Sequence, residues 1–129
     1  MSRIFALNQL ENQITQIEAL VETRARIQRL TQNSDFKELI NKRYLVEEAA
    51  AFAASAGDPA LTKDQREEAM TMALAPGHLK RWLSVQITMA NTAEDQLPQL
   101  KHARDVLRAI SDEQFDKNDY TFDADENQE

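Results

Sequence analysis

The side chains that could take part in acid–base chemistry are few and poorly placed for it. The candidates are two histidines, His78 and His102, and two adjacent acidic pairs, Glu47–Glu48 and Glu67–Glu68. General acid–base catalysis needs groups that converge on one substrate. Neighbouring residues on a helix point about 100° apart, because one turn holds 3.6 residues. We therefore expect each acidic pair to lie on a solvated helix face and neither histidine to be catalytic.

The sequence also lacks the residues that common cofactor and metal sites require. The chain has no Cys, which excludes thiolate zinc sites, iron–sulfur clusters and a Cys nucleophile. Its two glycines, Gly57 and Gly77, are too far apart for a phosphate-binding loop. Neither histidine follows a glutamate by three residues, as in carboxylate-bridged di-metal bundles. The sequence therefore predicts no catalytic residue, no cofactor and no metal ion, and a protein that is not an enzyme.

The acidic C-terminal segment, residues 111–129, is the part of the chain whose composition indicates a function. The formal net charge is −7, but residues 1–110 contain 14 of the 15 basic residues and 14 of the 22 acidic ones. Such a block is typical of a solvated or interaction tail. We predict that it binds a partner protein or mimics a nucleic-acid backbone, with a solubilising role as the alternative. The candidate partner-binding residues are Phe115, Asp116, Asp119, Tyr120, Phe122 and Asp123.

A second candidate surface is an apolar seam in the first thirty residues. Its members alternate at spacings of three and four residues, which is the heptad pattern of a coiled coil: Leu7, Leu10, Ile14, Ile17 and Val21. The pattern lasts about two heptads before Arg24 and Gln28 replace it. The sequence therefore predicts either self-association through these five residues or packing of the seam within one chain.

The elements that must carry these surfaces are all helical. Apolar residues recur at helical spacing throughout, and Gly and Pro fall between the periodic segments. We predict an all-α fold, a helical bundle with a long, partly coiled-coil-like first helix, in a domain of residues 1–110 followed by the tail. The predicted helices span about 3–33, 35–56, 62–75, 78–95 and 98–110.

Helix boundaries are marked by residues with capping and breaking properties. Asn33 or Ser34 suits the N-cap of the second helix, and a break near 41–43 would divide that helix. Capping-box patterns occur at Thr62 with Gln65 and at Ser111 with Gln114. Gly57 suits a helix end, Pro76–Gly77 is expected to end the third helix, and Pro98 suits the first turn of the fifth.

Membrane and nucleic-acid partners are not expected. No segment approaches the length of an uncharged apolar span, and the N-terminus lacks the features of a signal peptide. Arg24, Arg26 and Arg29 form a small basic patch, but the 1–110 domain has no basic surplus. We expect a location in the cytoplasm of a host cell or in a virion, and a protein partner or a second copy of the chain.

One stretch of the sequence resembles a known group of proteins. Asn33-Ser34-Asp35-Phe36-Lys37-Glu38-Leu39-Ile40 is followed by Tyr44-Leu45, by Glu48-Ala49 and later by Leu83 and Ile87. This pattern, after a long Glu- and Gln-rich helix, is similar to short helical proteins of tailed bacteriophages, most of them without an assigned role. The chain departs from that pattern at Arg43, where the group has Gly, and in its acidic tail. The resemblance implies a phage context and no catalytic residue.

Two hypotheses follow for the function. The first is a non-enzymatic phage structural or assembly protein that acts through helix-mediated contacts and self-association. The alternative is a phage-encoded regulator that binds and inhibits a host protein through residues 111–129, in which case truncation after Ile110 should abolish binding without changing helical content.

Overall fold

The computed structural model describes residues 2–121, and these form helices joined by short turns. The predicted all-α fold is confirmed: the described residues contain no strand. The elements are α1 (Arg3–Gln32), α2 (Ser34–Phe36), the π-helix π1 (Lys37–Glu48), α3 (Ala49–Ala56), α4 (Lys63–Glu94), α5 (Leu97–Ala109) and α6 (Asp112–Asp116).

The predicted caps are present where side-chain oxygens can reach unpaired helix N–H groups. The side-chain Oδ1 of Asn33 accepts hydrogen bonds from the N–H groups of Asp35 and Phe36, at 2.9 and 3.1 Å. Thr62 and Gln65 form the reciprocal pair of a capping box, at 3.0 and 3.2 Å. Each cap satisfies donors that have no partner within their own helix. The starts of α2 and α4 are therefore set by local sequence.

The second helical stretch is continuous but changes its winding. The residues at the junctions, Phe36, Glu48 and Ala49, all have helical φ and ψ. The break predicted near 41–43 is therefore wrong. In its place the twelve residues of π1 are wound as a π-helix, a conformation that proteins mostly use for a single turn.

The apolar pattern of this stretch explains the wider winding. Phe36, Ile40, Tyr44 and Ala49 are half-buried and are spaced four, four and five residues apart. Successive i to i+5 hydrogen bonds give more residues per turn than the 3.6 of an α-helix, so this spacing stays on one face. Leu39 lies off that face and is exposed.

The third and fourth predicted helices are one helix, α4, and the predicted break at Pro76–Gly77 is wrong. Pro76 lies inside α4. Proline has no N–H to donate to the carbonyl four residues earlier and usually kinks or ends a helix. Pro76 is nevertheless buried, and Gly77 does not have a positive φ. Burial of the ring and the absence of a left-handed glycine are consistent with a helix that continues through both residues.

The chain divides into two compact units, and each has its own small core. Unit 1 contains the residues up to Glu22 and those from Met89 onward, and unit 2 contains Thr23–Thr88. Ile14, Ile17, Ala90 and Leu107 are buried in unit 1, and Ile27 and Ala69 are the buried hydrophobic residues of unit 2. This division differs from the predicted single domain of residues 1–110.

Gly77→Ala should stabilise the protein, because it adds a good helix former inside α4. A methyl group at this position would meet nothing within 4 Å. We expect the free energy of unfolding to rise by about 1 kcal/mol, measured by urea denaturation followed by circular dichroism.

Gly57→Ala is the matched control. Gly57 lies at the end of α3 with φ −96°, where helix propensity counts for less, so its gain should be smaller. A loss of stability for Gly77→Ala would contradict the continuity of α4.

Candidate protein-interaction surfaces

The predicted heptad seam lies in unit 1 and is largely covered there. Ile14 and Ile17 expose only 4% and 7% of their surface. Leu7, Leu10 and Val21 are half-buried. The seam therefore packs against residues of the same chain, the alternative that the sequence had left open.

Helix α5 supplies the opposite side of this packing. Leu107 of α5 exposes 3% of its surface and lines the same cavity as Leu10 of α1. Ion pairs join the two helices, with Arg108 Nη2 2.6 Å from Glu11 Oε1 and Lys101 Nζ 3.8 Å from Glu18 Oε1. The two glutamates are seven residues apart on α1, and their two basic partners are seven residues apart on α5. Because the earlier glutamate pairs with the later basic residue, α1 and α5 pack antiparallel.

This pairing is the within-chain alternative for Leu7, Leu10, Ile14, Ile17 and Val21, and self-association through these residues stays a prediction. Ile14 and Ile17 have little surface left for a second copy, whereas Leu7, Leu10 and Val21 are only half-buried. The heptad pattern was a real packing signal, but its partner is α5. The exposed ion pairs fix the register of that packing and each contribute about 0–1 kcal/mol.

Ile17→Ala should destabilise the fold without changing the mass of the particle in solution. Truncating a buried Ile side chain lowers the free energy of unfolding by about 2–5 kcal/mol. Leu30→Ala, on an exposed residue of the same helix, is the control and should cost less than about 1 kcal/mol. Urea denaturation gives the stability, and light scattering gives the mass. A fall in mass for Ile17→Ala would show that the seam joins separate chains.

Residues after Ile110 continue the fold of unit 1. Ser111 caps α6 through the predicted capping box with Gln114, with hydrogen bonds of 2.9 and 3.1 Å. Arg3 of α1 pairs with Asp112 at 2.8 Å, and its Nη1 donates to the carbonyl of Leu107 at 2.9 Å. Arg3 thus ties the starts of α1 and α6 to the end of α5.

The chain turns back after α6 through a residue in the left-handed conformation. Asn118 has φ 55°, which Asn tolerates better than most residues. Its N–H donates to the carbonyl of Phe115, and that of Asp119 donates to the carbonyl of Gln114. These two bonds are the Schellman motif of a helix end. The turn brings Tyr120 back over α6.

The two aromatic rings near α6 stack on one another. The centroids of Phe115 and Tyr120 are 5.9 Å apart, with 7° between the ring planes. Both residues are half-buried and line a cavity of about 320 Å³. The other residues that line this cavity belong to α1 and α5: Ala6, Gln9, Leu10, Gln13, Ala103 and Leu107.

The predicted partner-binding residues of the tail differ in their surroundings. Phe115 and Tyr120 contribute to the fold of unit 1, whereas Asp116 and Asp119 are exposed. Phe122 and Asp123 lie outside the described residues. Truncation after Ile110 would remove α6 and its contacts with α1.

Phe115→Ala should lower the free energy of unfolding by about 1–3 kcal/mol, less than for a fully buried aromatic residue. The loss comes from the stack with Tyr120 and from the packing against α1 and α5. Asp116→Ala, on the exposed side of the same helix, is the matched control and should change stability by less than about 0.5 kcal/mol. Equal effects of the two substitutions in thermal denaturation would contradict the packing of α6.

Unit 2 contains a groove of about 420 Å³ between α1, π1 and α4. Its apolar side chains include Ile27, Leu45, Leu83 and Ile87, and its charged lining residue is Lys80. Pro76 and Gly77 also line it. The widened helix π1 and the interrupted hydrogen bonding of α4 therefore face the same space.

The other face of α4 is apolar and exposed. We call Met70, Leu74, Trp82 and Val85 the α4 apolar face; the four side chains expose 50%, 59%, 54% and 40% of their surface. At about 100° per residue they lie within about 120° of the helix circumference. Leu83, nine residues after Leu74, points about 180° away from it and into the groove.

This face was not predicted from the sequence, because a helix break was expected at Pro76–Gly77. Such a break assigns Leu74 and Trp82 to separate helices. The signal was present in the spacing of the four residues, but only a helix that continues through Pro76 brings them together.

Most residues first considered for chemistry lie on the surface: exposed are Glu47, Glu48, Glu67, Glu68 and His78. Glu67 is 3.8 Å from Lys63 in an ion pair. Within residues 2–121 no group of three or more acidic or histidine side chains could hold a metal ion.

His102 and the basic patch also differ from simple surface residues. His102 is half-buried, and its Nε2 is buried without a hydrogen-bond partner. Arg24, Arg26 and Arg29 each take part in an interaction within the chain.

Across the described part of the chain, no helix is long and apolar enough to cross a membrane.

Comparison with protein-family models, with curated proteins and with solved structures found no match to this chain.

Proposed function

We propose that the chain is a non-enzymatic structural or assembly protein of a bacteriophage, acting through helix-mediated contacts with other proteins and with its own copies. The observation that carries this proposal is the distribution of apolar side chains. The buried hydrophobic residues are few, whereas large hydrophobic residues are exposed in both units. Exposed apolar clusters are typical of surfaces that another protein covers. The phage context rests on the resemblance of residues 33–49 to short phage proteins.

The proposed self-association uses a surface other than the α1 seam, whose central residues are buried. In unit 1 the first turn of α1 exposes Ile4 and Phe5 by 60% and 50%. Burying a Phe side chain completely contributes about 1.5–3 kcal/mol. In a symmetric dimer each copy supplies the same residue, so the contact gains this contribution twice. We therefore assign the self-association to this turn.

The alternative hypothesis, a regulator that inhibits a host protein through residues 111–129, receives less support. Two of its three aromatic anchors, Phe115 and Tyr120, are engaged in unit 1. An inhibitor would have to expose them at the expense of the packing around α6. The assembly hypothesis requires no such rearrangement.

Phe5→Ser should weaken self-association at least about tenfold, which corresponds to 1.4 kcal/mol. Light scattering over a concentration series measures the dissociation constant. Leu39→Ser, which removes an equally exposed side chain from π1, is the control and should have little effect. A wild-type chain that stays monomeric at high micromolar concentration would contradict self-association.

The assembly role has a separate test. Mass spectrometry of purified virions and proheads should detect the protein in at least one of them. Its absence from both would contradict a structural or assembly role, whatever the result of the light-scattering experiment.

A further inference from the structure

We infer that the α4 apolar face binds an amphipathic helix whose apolar side chains are flanked by acidic ones. This inference deepens the proposed function by naming a partner class, and it rests on that proposal only in taking protein contacts as the role of the chain. Met70, Leu74, Trp82 and Val85 extend over about 22 Å of helix, at 1.5 Å per residue. This length matches the face of a partner helix of about four turns.

The charges along α4 select an acidic partner. From Ala69 to Ala93 the chain has no Asp or Glu, whereas it has Lys80, Arg81 and His78. Arg81 is seven residues after Leu74, about two turns along the same face. His78 lies between Leu74 and Trp82 at spacings of four residues and is exposed. A helix that packs over Leu74 and Trp82 would therefore place a flanking side chain near Arg81.

A second copy of the chain fits this face less well. Two α4 faces packed together would add Arg81 from each copy to one interface, and the stretch Ala69–Ala93 offers no acidic residue to pair with either. Like charges at an interface oppose association. Self-association through Ile4 and Phe5 does not have this difficulty.

A membrane surface is also disfavoured. A basic segment near an anionic membrane gains about 1 kcal/mol per Lys or Arg, and this stretch has only two. Stable surface helices usually have many basic residues on their polar face, whereas the opposite face of α4 lines a groove within unit 2.

The chain contains a built-in reporter for this surface. Trp82 is its only tryptophan and is more than half exposed, so a helix that covers the face should shift the emission of Trp82 to shorter wavelength. The probe is a synthetic amphipathic helix with Leu on one face and Glu at the flanking positions. The comparison probe has Lys in place of each Glu.

The full chain should bind the Glu probe saturably, more weakly as salt increases, and should not bind the Lys probe. Arg81→Glu should raise the dissociation constant at least about tenfold, as should Leu74→Ser, since tenfold corresponds to about 1.4 kcal/mol. Lys80→Glu and Met72→Ser are matched controls on other sides of α4 and should change binding less than about threefold.

Several results would overturn the inference. These are no shift with the Glu probe, equal binding of both probes, or equal effects of Arg81→Glu and Lys80→Glu. A shift with phosphatidylcholine–phosphatidylserine vesicles would identify a lipid surface instead. A shift when the chain alone is concentrated would identify a second copy, and a shift on removing residues 122–129 would identify the chain's own C-terminal segment. The light-scattering and virion-composition experiments do not depend on these results. The proposed function can therefore fail or succeed independently of this inference.

Discussion

A helix of thirty residues cannot cover its own apolar face, and in unit 1 this constraint is met by the antiparallel packing of α5 on α1. Ile14, Ile17 and Leu107 form the buried centre of that packing, and the ion pairs of Glu11 with Arg108 and of Glu18 with Lys101 accompany it. Arg3 and the aromatic stack of α6 close its end. Because the centre of the seam is covered within the chain, the proposed contacts with other proteins use other surfaces.

Those other surfaces arise from a different constraint in unit 2. Helix α4 is apolar on opposite sides, with Leu83 and Ile87 lining the groove and Leu74 and Trp82 exposed. One helix cannot bury both sides against the few elements of this unit. A partner helix would cover the exposed side, and the absence of acidic residues from Ala69 to Ala93 determines the charge that this partner should carry.

Local signals in the sequence predicted much of the fold. Capping at Asn33, Thr62 and Ser111 depends on residues within three positions, so it could be predicted without knowledge of the rest of the chain. The bounds of α1 and α5 followed from periodicity in the same way. Whether Pro76 ends a helix depends on packing around the ring, which no local pattern reveals. The π winding of residues 37–48 also depends on which face the rest of unit 2 buries.

The candidate surfaces were harder to predict because a surface is defined by what remains uncovered. The heptad pattern correctly identified an apolar seam but could not distinguish α5 from a second chain as its partner. The most direct test uses this cysteine-free chain with Glu11→Cys and Arg108→Cys, joined by a short bismaleimide in an equal mixture of ¹⁵N-labelled and unlabelled protein. Mass spectrometry of the cross-linked peptides should show light–light and heavy–heavy pairs alone. Mixed pairs at the statistical frequency would show that α1 packs on α5 of another chain and would contradict the account.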